Sequence, residues 1–132
     1  MKRIKVLIVD DSAAARDGLN SILSPHTDIE IIGKAVDGQD AITKVNDLHP
    51  DIILMDTRMP VMGGVEATRR IKECFPEIKI LMLTVHTSYI EEAIAAGADG
   101  YLRKDCPRDE LLQTMRALSA RPGTQNDYIM PR

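Results

Sequence analysis

Residues able to hold a metal ion or a phosphoryl group follow four short apolar stretches of the chain. The first stretch ends at Asp10-Asp11, the second at Asp56, the third at Thr84 and the fourth at Lys104. If these stretches are neighbouring parallel strands, their carboxyl ends meet in one crevice. Three carboxylates, a hydroxyl and an ammonium would then face one another, which predicts a site for divalent metal and phosphoryl chemistry.

The carboxylates of Asp10, Asp11 and Asp56 would repel one another by several kcal/mol per pair at a protein-like dielectric. A cation is therefore expected among them. A few carboxylates with room for water suit Mg²⁺ better than Ca²⁺, which prefers a cage of oxygen ligands. The sequence has no cluster of His or Cys that would favour zinc. By itself a pair of aspartates after a strand is usually a solvated turn, so the prediction depends on the other strand ends.

Asp56 is the candidate nucleophile, because a carboxylate beside Mg²⁺ can accept a phosphoryl group and form an aspartyl phosphate. Lys104 would neutralise one phosphoryl oxygen, and the Thr84 hydroxyl would donate a hydrogen bond to another. In-line transfer mainly requires positioning and charge neutralisation, which this set supplies. Considered alone, Lys104 would be interpreted as a surface lysine and Thr84 as an ordinary strand residue.

The elements that must position these residues alternate along the chain. Short apolar runs are separated by longer segments whose apolar residues recur at helical spacing, the pattern of strands separated by helices. The predicted strands are 5–9, 28–33, 51–55, 79–83 and 100–103, and the predicted helices are 12–23, 37–48, 64–75, 88–96 and 107–118. Ser12 is expected to cap the first helix, and Leu48 and Ile94 are expected to face the core.

Strict alternation with short connections favours a doubly wound α/β domain over residues 1–118. The expected fold is flavodoxin-like, with five helices and a single five-stranded parallel sheet in the order 2-1-3-4-5. Residues 119–132 have turn and linker composition without periodicity. They are interpreted as a tail or as a truncated linker to an output domain outside this chain.

Composition limits the possible functions. The chain has 132 residues, enough for one domain with its own core, and a net charge of -3. Without a run of Lys or Arg, this chain alone is not expected to bind nucleic acid. No segment suits a signal peptide or a membrane span, so a cytoplasmic location without membrane contact is expected. Cys74 and Cys106 are expected to be reduced thiols.

The motifs together closely resemble the receiver domain of bacterial two-component response regulators. The resemblance covers roughly residues 2–118, and its last third is similar to the LuxR or NarL subfamily, whose members usually carry a helix-turn-helix output domain. It rests on Val6-Leu7-Ile8-Val9-Asp10-Asp11, Ile53-Leu54-Met55-Asp56 with Met59-Pro60 and Gly63-Gly64, Leu83-Thr84, and Ala96-Gly97-Ala98 through Gly100-Tyr101-Leu102-Arg103-Lys104.

The resemblance implies a role for each site residue. Mg²⁺ would be held by carboxylates and by one main-chain carbonyl, and a sensor histidine kinase would supply the phosphoryl group. The implied roles are metal ligands at Asp10, Asp11, Asp56 and the Arg58 main-chain carbonyl, the phosphoacceptor at Asp56, the mobile hydroxyl at Thr84, the counter-ion at Lys104 and the aromatic switch at Tyr101. Such a domain catalyses its own phosphorylation and dephosphorylation without being a turnover enzyme.

Phosphorylation is expected to change the surface of the domain. Thr84 and Lys104 would meet the new phosphoryl oxygens, and Tyr101 would occupy the space that Thr84 vacates. The face formed by the fourth helix, fifth strand and fifth helix would change as a result. We expect this change to control homodimerisation, through that face or through the first and fifth helices.

Two further positions should border the phosphoryl pocket. Arg58 and His86 each lie two residues beyond a site residue, and we expect them to restrict or orient attacking water. His86 would add a mild pH dependence, since its unperturbed pKa is near 6.5. One departure from the family pattern follows Lys104, where Asp105 replaces the proline that many receivers carry in a cis peptide bond. The geometry of that bond is left open.

Other functions fit the sequence less well. A Mg²⁺-dependent phosphatase with an aspartate nucleophile needs an acid two residues later, where this chain has Arg58. A receiver-like domain that only binds partners is disfavoured by the complete set of site residues. A nucleotide-binding domain is disfavoured because no Gly-rich loop follows the first strand.

Overall fold

The structure is a computed structural model that describes residues 2–85 and 88–121. Strands and helices alternate throughout, as the sequence predicts. The elements are β1 (Ile4–Val9), α1 (Ala13–Leu23), β2 (Ile29–Ala35), α2 (Gly38–Leu48), β3 (Ile52–Asp56), α3 (Gly64–Cys74), β4 (Lys79–Thr84), α4 (Ile90–Ala96), β5 (Gly100–Arg103) and α5 (Arg108–Ser119).

The five strands form one parallel sheet in the order β2-β1-β3-β4-β5. This confirms the predicted flavodoxin-like fold. Every residue of β3 and β4 is buried, as expected of interior strands that helices cover on both faces. In the register of the sheet Val9 pairs with Met55, and Asp56 pairs with Leu83. The carboxyl ends of β1, β3 and β4 therefore lie side by side.

Two hydrophobic cores lie on opposite faces of the sheet. Successive strand residues point to opposite faces, so Met55 packs in one core and Leu54 in the other. The first core lies under α2, α3 and α4 and contains Tyr101, and the second lies under α1 and α5 and contains Leu83. The two cores fix the sheet between its helical layers and so fix the strand ends.

Side chains cap the first two helices. The Ser12 hydroxyl accepts a hydrogen bond from the Ala15 backbone N–H, which confirms the predicted cap of α1. The Asp37 carboxylate accepts from the Asp40 backbone N–H at 2.8 Å and caps α2. These caps satisfy backbone donors that the first helical turn leaves without partners.

Several local expectations are wrong. Leu48 and Ile94 were expected to face the core, but they are 38% and 44% exposed. Leu48 is the last residue of α2, and the short helix α4 directs Ala93 and Ala96 inward, which leaves Ile94 on its flank. The helix α4 begins at Ile90, because the preceding residues 88 and 89 form a turn.

Three local features bear on the other expectations. All described peptide bonds are trans, including the bond between Lys104 and Asp105 that the sequence leaves open. Cys74 and Cys106 are free thiols. None of the helices in the described ranges is both long and apolar enough to cross a bilayer.

Candidate functional site

Three carboxylates meet at the carboxyl ends of β1 and β3. Oxygen atoms of Asp10, Asp11 and Asp56 all lie within 4.8 Å of one another. The pairing of Val9 with Met55 explains this proximity, because Asp10 and Asp56 are the next residues of the two neighbouring strands. Asp10 and Asp56 are only 2% and 7% exposed, whereas Asp11 is exposed. The structure thus brings these three carboxylates together.

Local hydrogen bonds fix Asp10. Its carboxylate accepts from the Ser12 backbone N–H at 2.9 Å, so the residue that caps α1 also orients this side chain. The Arg16 guanidinium donates to the Asp10 carbonyl oxygen at 2.8 Å, and the Asp10 N–H donates to the Ala35 carbonyl at 3.1 Å. The start of α1 and the end of β2 therefore hold one wall of the site.

Lys104 connects the two buried carboxylates. Its Nζ lies 2.7 Å from Asp10 Oδ2 and 3.3 Å from Asp56 Oδ1. Its backbone N–H donates to the Thr84 carbonyl at 2.8 Å, which places the residue at the end of β5 beside β4. Burial alone would lower the pKa of Lys104, but the hydrogen bond to Asp10 and the charge of Asp56 raise it above its ordinary value. Lys104 is thus a fixed cation in the site.

One lysine does not balance three carboxylates. Burial, followed by the negative charge of Asp10, raises the pKa of Asp56 above its ordinary value even though Lys104 acts in the opposite direction. A second cation would relieve this repulsion. Clustered carboxylates that are partly open to water are ligands that suit Mg²⁺, so the residues present fit the predicted metal.

A pair of hydroxyls lies at the carboxyl ends of β3 and β4, on the Tyr101 side of the sheet. Thr57 Oγ1 donates to Thr84 Oγ1 at 2.6 Å, and both residues are buried. The Tyr101 ring is fully buried. Burial raises the pKa of the Tyr101 phenol, and its hydrogen bonds to the Thr84 side chain and the Tyr89 backbone act in the opposite direction. The two predicted switch residues are therefore in direct contact.

The loop between β3 and α3 carries the remaining candidate. The Gly64 N–H donates to the Thr57 carbonyl at 3.0 Å, and a Cβ on Gly64 would overlap the Asp56 carbonyl oxygen. Only glycine allows α3 to begin this close to the end of β3. Arg58 is exposed in this loop, and its roles as a carbonyl ligand and a rim residue stay predictions. His86 lies outside the described residues.

Sequence reasoning missed three contributors to the site. Thr57 directly follows the candidate nucleophile. A polar residue at the end of a buried strand could have indicated that its hydroxyl takes part in the site. Gly64 belongs to a quoted motif but was given no role. Arg16 is in the first turn of α1, and nothing in its spacing predicts a contact with the Asp10 carbonyl.

Comparisons with known proteins agree with this geometry. The family described as response regulator receiver domain matches residues 6–116. The chain is 45% identical over 121 residues to the response regulator protein VraR of Staphylococcus aureus, with 88% of this chain and 56% of VraR covered. It is 43% identical over 114 residues to the transcriptional regulatory protein LnrK of Bacillus subtilis, with 85% of this chain and 52% of LnrK covered. The chain thus spans about half the length of these relatives.

A solved structure supports the same assignment. A LuxR-family two-component response regulator from Aurantimonas has a TM-score of 0.85 and 31% identity, with 92% of this chain and 89% of that chain covered. Domains of this family are signalling modules and typically bind Mg²⁺. The chain belongs to the response regulator receiver domain family and is a receiver of the LuxR or NarL type.

Proposed function

We propose that this domain is a switch that takes a phosphoryl group from a sensor histidine kinase onto Asp56 in the presence of Mg²⁺. The observation that carries the proposal is the ion-paired position of Lys104 between Asp10 and Asp56. A cation held at 3.3 Å from the nucleophile is placed to neutralise an oxygen of an incoming phosphoryl group.

The reaction is an in-line displacement at phosphorus. A carboxylate oxygen of Asp56 forms the new P–O bond, and the P–N bond to the donor imidazole breaks, with its electron pair leaving on the histidine. Asp10, Asp11, Asp56 and the Arg58 carbonyl would hold Mg²⁺, which supplies charge neutralisation at the phosphoryl oxygens. Lys104 then exchanges part of its contact with Asp56 for a contact with the phosphoryl group.

The product changes the electrostatics of the site. An aspartyl phosphate gives Thr84 and Lys104 new acceptor oxygens, and a charge-assisted hydrogen bond contributes about 1.5 to 3 kcal/mol. One such bond formed only in the active arrangement shifts a two-state equilibrium by roughly ten- to a hundredfold. Thr84 contacts Tyr101 directly, so its movement alters the packing of Tyr101 beneath α4.

Phosphorylation would act on the rest of the system through dimerisation with another copy of the domain and through an output domain. Because LnrK is a transcriptional regulatory protein, we propose that this receiver, residues 1–118, controls transcription through a helix-turn-helix domain to which residues 119–132 lead. Phosphorylation would promote a homodimer through α4, β5 and α5 or through α1 and α5. We place the switch in the cytoplasm, where a kinase can reach it.

A turnover phosphatase is the rival function. It needs an acid or base two residues after the nucleophile, and the Arg58 guanidinium cannot serve as either. For the same reason, Arg58 cannot act as a base that activates water against the aspartyl phosphate. Release of phosphate from a generic phosphomonoester, at a rate far above one turnover per protein, would restore the phosphatase interpretation.

Intact-mass measurement tests the proposed function. Wild-type protein incubated with acetyl phosphate and Mg²⁺ should gain the mass of one phosphoryl group, and the gain should disappear with EDTA. The Asp56→Ala variant should gain nothing, whereas Asp51→Ala, at the opposite end of β3, should gain as wild type does. Full incorporation by Asp56→Ala would contradict the assignment.

Light scattering tests the proposed response. Protein with Mg²⁺ and the phosphoryl mimic beryllofluoride should have a larger weight-average molar mass than unmodified protein at the same concentration. Equal values across the concentration range would exclude phosphorylation-dependent dimerisation of this domain.

A further inference from the structure

Thr57, the residue after the proposed phosphoacceptor, holds the hydroxyl of Thr84. Its Oγ1 donates to Thr84 Oγ1 at 2.6 Å, and the two residues are 6% and 1% exposed. The register explains this contact, because Asp56 pairs with Leu83 and the residues that follow them are Thr57 and Thr84. Neither the motifs nor the proposed phosphoryl chemistry gives Thr57 a role.

The contact lies on the opposite face of the sheet from the Asp56 side chain. Leu83, the partner of Asp56, packs in the core under α1 and α5, whereas Met82 and Tyr101 pack in the core under α2, α3 and α4. Side chains alternate between the faces, so Thr57 and Thr84 start on the Tyr101 side. To reach a phosphoryl group on Asp56, the Thr84 hydroxyl must turn away from Thr57.

That movement has an opposing cost. The Thr84 hydroxyl oxygen accepts the Thr57 proton, so this bond is lost when that oxygen moves to the other face of the sheet to reach the phosphoryl group. Thr57 is then left as a buried donor whose present acceptor has moved away, and such groups are costly in a protein interior. The bond therefore stabilises the unphosphorylated arrangement more than the phosphorylated one.

We propose that Thr57 is a positioning residue that retains the Thr84 hydroxyl on the Tyr101 side of the sheet and so sets the threshold of the switch. This inference rests on the proposed function of Asp56 and deepens it. Removal of the Thr57 hydroxyl should favour the active arrangement, and a neutral buried hydrogen bond corresponds to a shift of about three- to tenfold. A substitution that merely damaged the site would instead disfavour the active arrangement.

Beryllofluoride titration in Mg²⁺ tests the inference, with affinity measured calorimetrically on the whole chain. Thr57→Val keeps the side-chain shape without the hydroxyl and should bind about three- to tenfold more tightly than wild type. Thr57→Ser restores the hydroxyl and should return the affinity to within about twofold of wild type. Thr57→Ala provides a second hydroxyl-free variant in case valine disturbs folding, and it should also bind more tightly.

The matched control is Thr68→Val. Thr68 is a fully buried threonine of α3 on the same face of the sheet, and its hydroxyl contacts the Met82 sulfur at 3.4 Å instead of Thr84. Its removal should leave beryllofluoride affinity unchanged. The proposed role of the Thr57 hydroxyl is wrong if folded Thr57→Val and Thr57→Ala bind beryllofluoride no more tightly than wild type. It is also wrong if Thr57→Ser, which keeps a hydroxyl, binds as tightly as these two variants.

Phosphoryl uptake separates this inference from the proposed function. All of these variants should gain one phosphoryl group from acetyl phosphate on Asp56. Uptake by all variants with no tightening in the hydroxyl-free ones would overturn only the role of Thr57. No uptake by wild type, together with no beryllofluoride binding, would overturn both proposals.

Discussion

Replacement of Asp56 with Asn should make the metal-free protein more stable. Oxygens of Asp10, Asp11 and Asp56 lie within 4.8 Å of one another. At an effective dielectric of about 20, buried Asp10 repels Asp56 by about 3.5 kcal/mol, and exposed Asp11, which solvent screens, adds less. The ion pair with Lys104, at 3.3 Å, returns about 5 kcal/mol on the same scale. Repulsion and attraction therefore nearly cancel, and burial of the carboxylate, the largest cause of its raised pKa, leaves a net penalty on the order of 2 kcal/mol.

Thermal unfolding by circular dichroism measures this penalty. In EDTA at pH 8, the Asp56→Asn midpoint should lie about 5 °C above the wild-type midpoint. The difference should shrink as the pH falls, because the pKa of Asp56 is raised in the folded state and the destabilising charged form exists only above that pKa. Below the ordinary value of 3.8, the carboxyl is neutral in both states and the difference should vanish.

Two controls make the result specific. Mg²⁺ should raise the wild-type midpoint more than that of the variant, because wild type has the full set of carboxylate ligands. Asp17→Asn, which removes a charge from the exposed surface of α1, should change the midpoint little. A midpoint for Asp56→Asn equal to or below that of wild type at pH 8 would refute the claim that the charged Asp56 carboxylate destabilises the metal-free fold.

Three further substitutions test the surrounding structure. Gly64→Ala should cost about 3 kcal/mol in urea unfolding, because its Cβ overlaps the Asp56 carbonyl; an unchanged midpoint would contradict that packing. Asp99→Asn should cost about 2 to 4 kcal/mol in the same assay, because the largely buried Lys72 loses its carboxylate partner at 2.6 Å and keeps its hydrogen bond to the Pro76 carbonyl; a loss below about 1 kcal/mol would count against that ion pair. Lys104→Ala should tighten Mg²⁺ binding about three- to tenfold in calorimetry by removing a competing cation, while beryllofluoride affinity falls; weaker Mg²⁺ binding would oppose this account.

Much of the fold was predictable, because it depends on patterns that span many residues. The alternation of apolar runs with helical periodicity predicts the order of elements, and short connections then favour one sheet order. The location of the site follows from the same rule, since the ligands of parallel sheets collect at the carboxyl ends of the strands. Asp10, Asp56 and Lys104 could therefore be brought together from sequence alone.

The remainder depends on contacts between strands. The partner of the Thr84 hydroxyl is determined by the exact register of β3 and β4, which pairs Asp56 with Leu83 and so places Thr57 beside Thr84. A register is not visible in either strand alone. The exposure of Ile94 was missed for a related reason, since the rotation of a short helix such as α4 depends on what it packs against.

Identification of the phosphorylated residue tests the central claim most directly. The protein is treated with acetyl phosphate and Mg²⁺, the acyl phosphate is reduced with borohydride, and peptides are sequenced by tandem mass spectrometry. Reduction converts a phosphorylated aspartate to homoserine, so homoserine is expected at position 56 and nowhere else. Homoserine at Asp10 or Asp11, or a stable phosphoryl group on another side chain with Asp56 unchanged, would contradict the account.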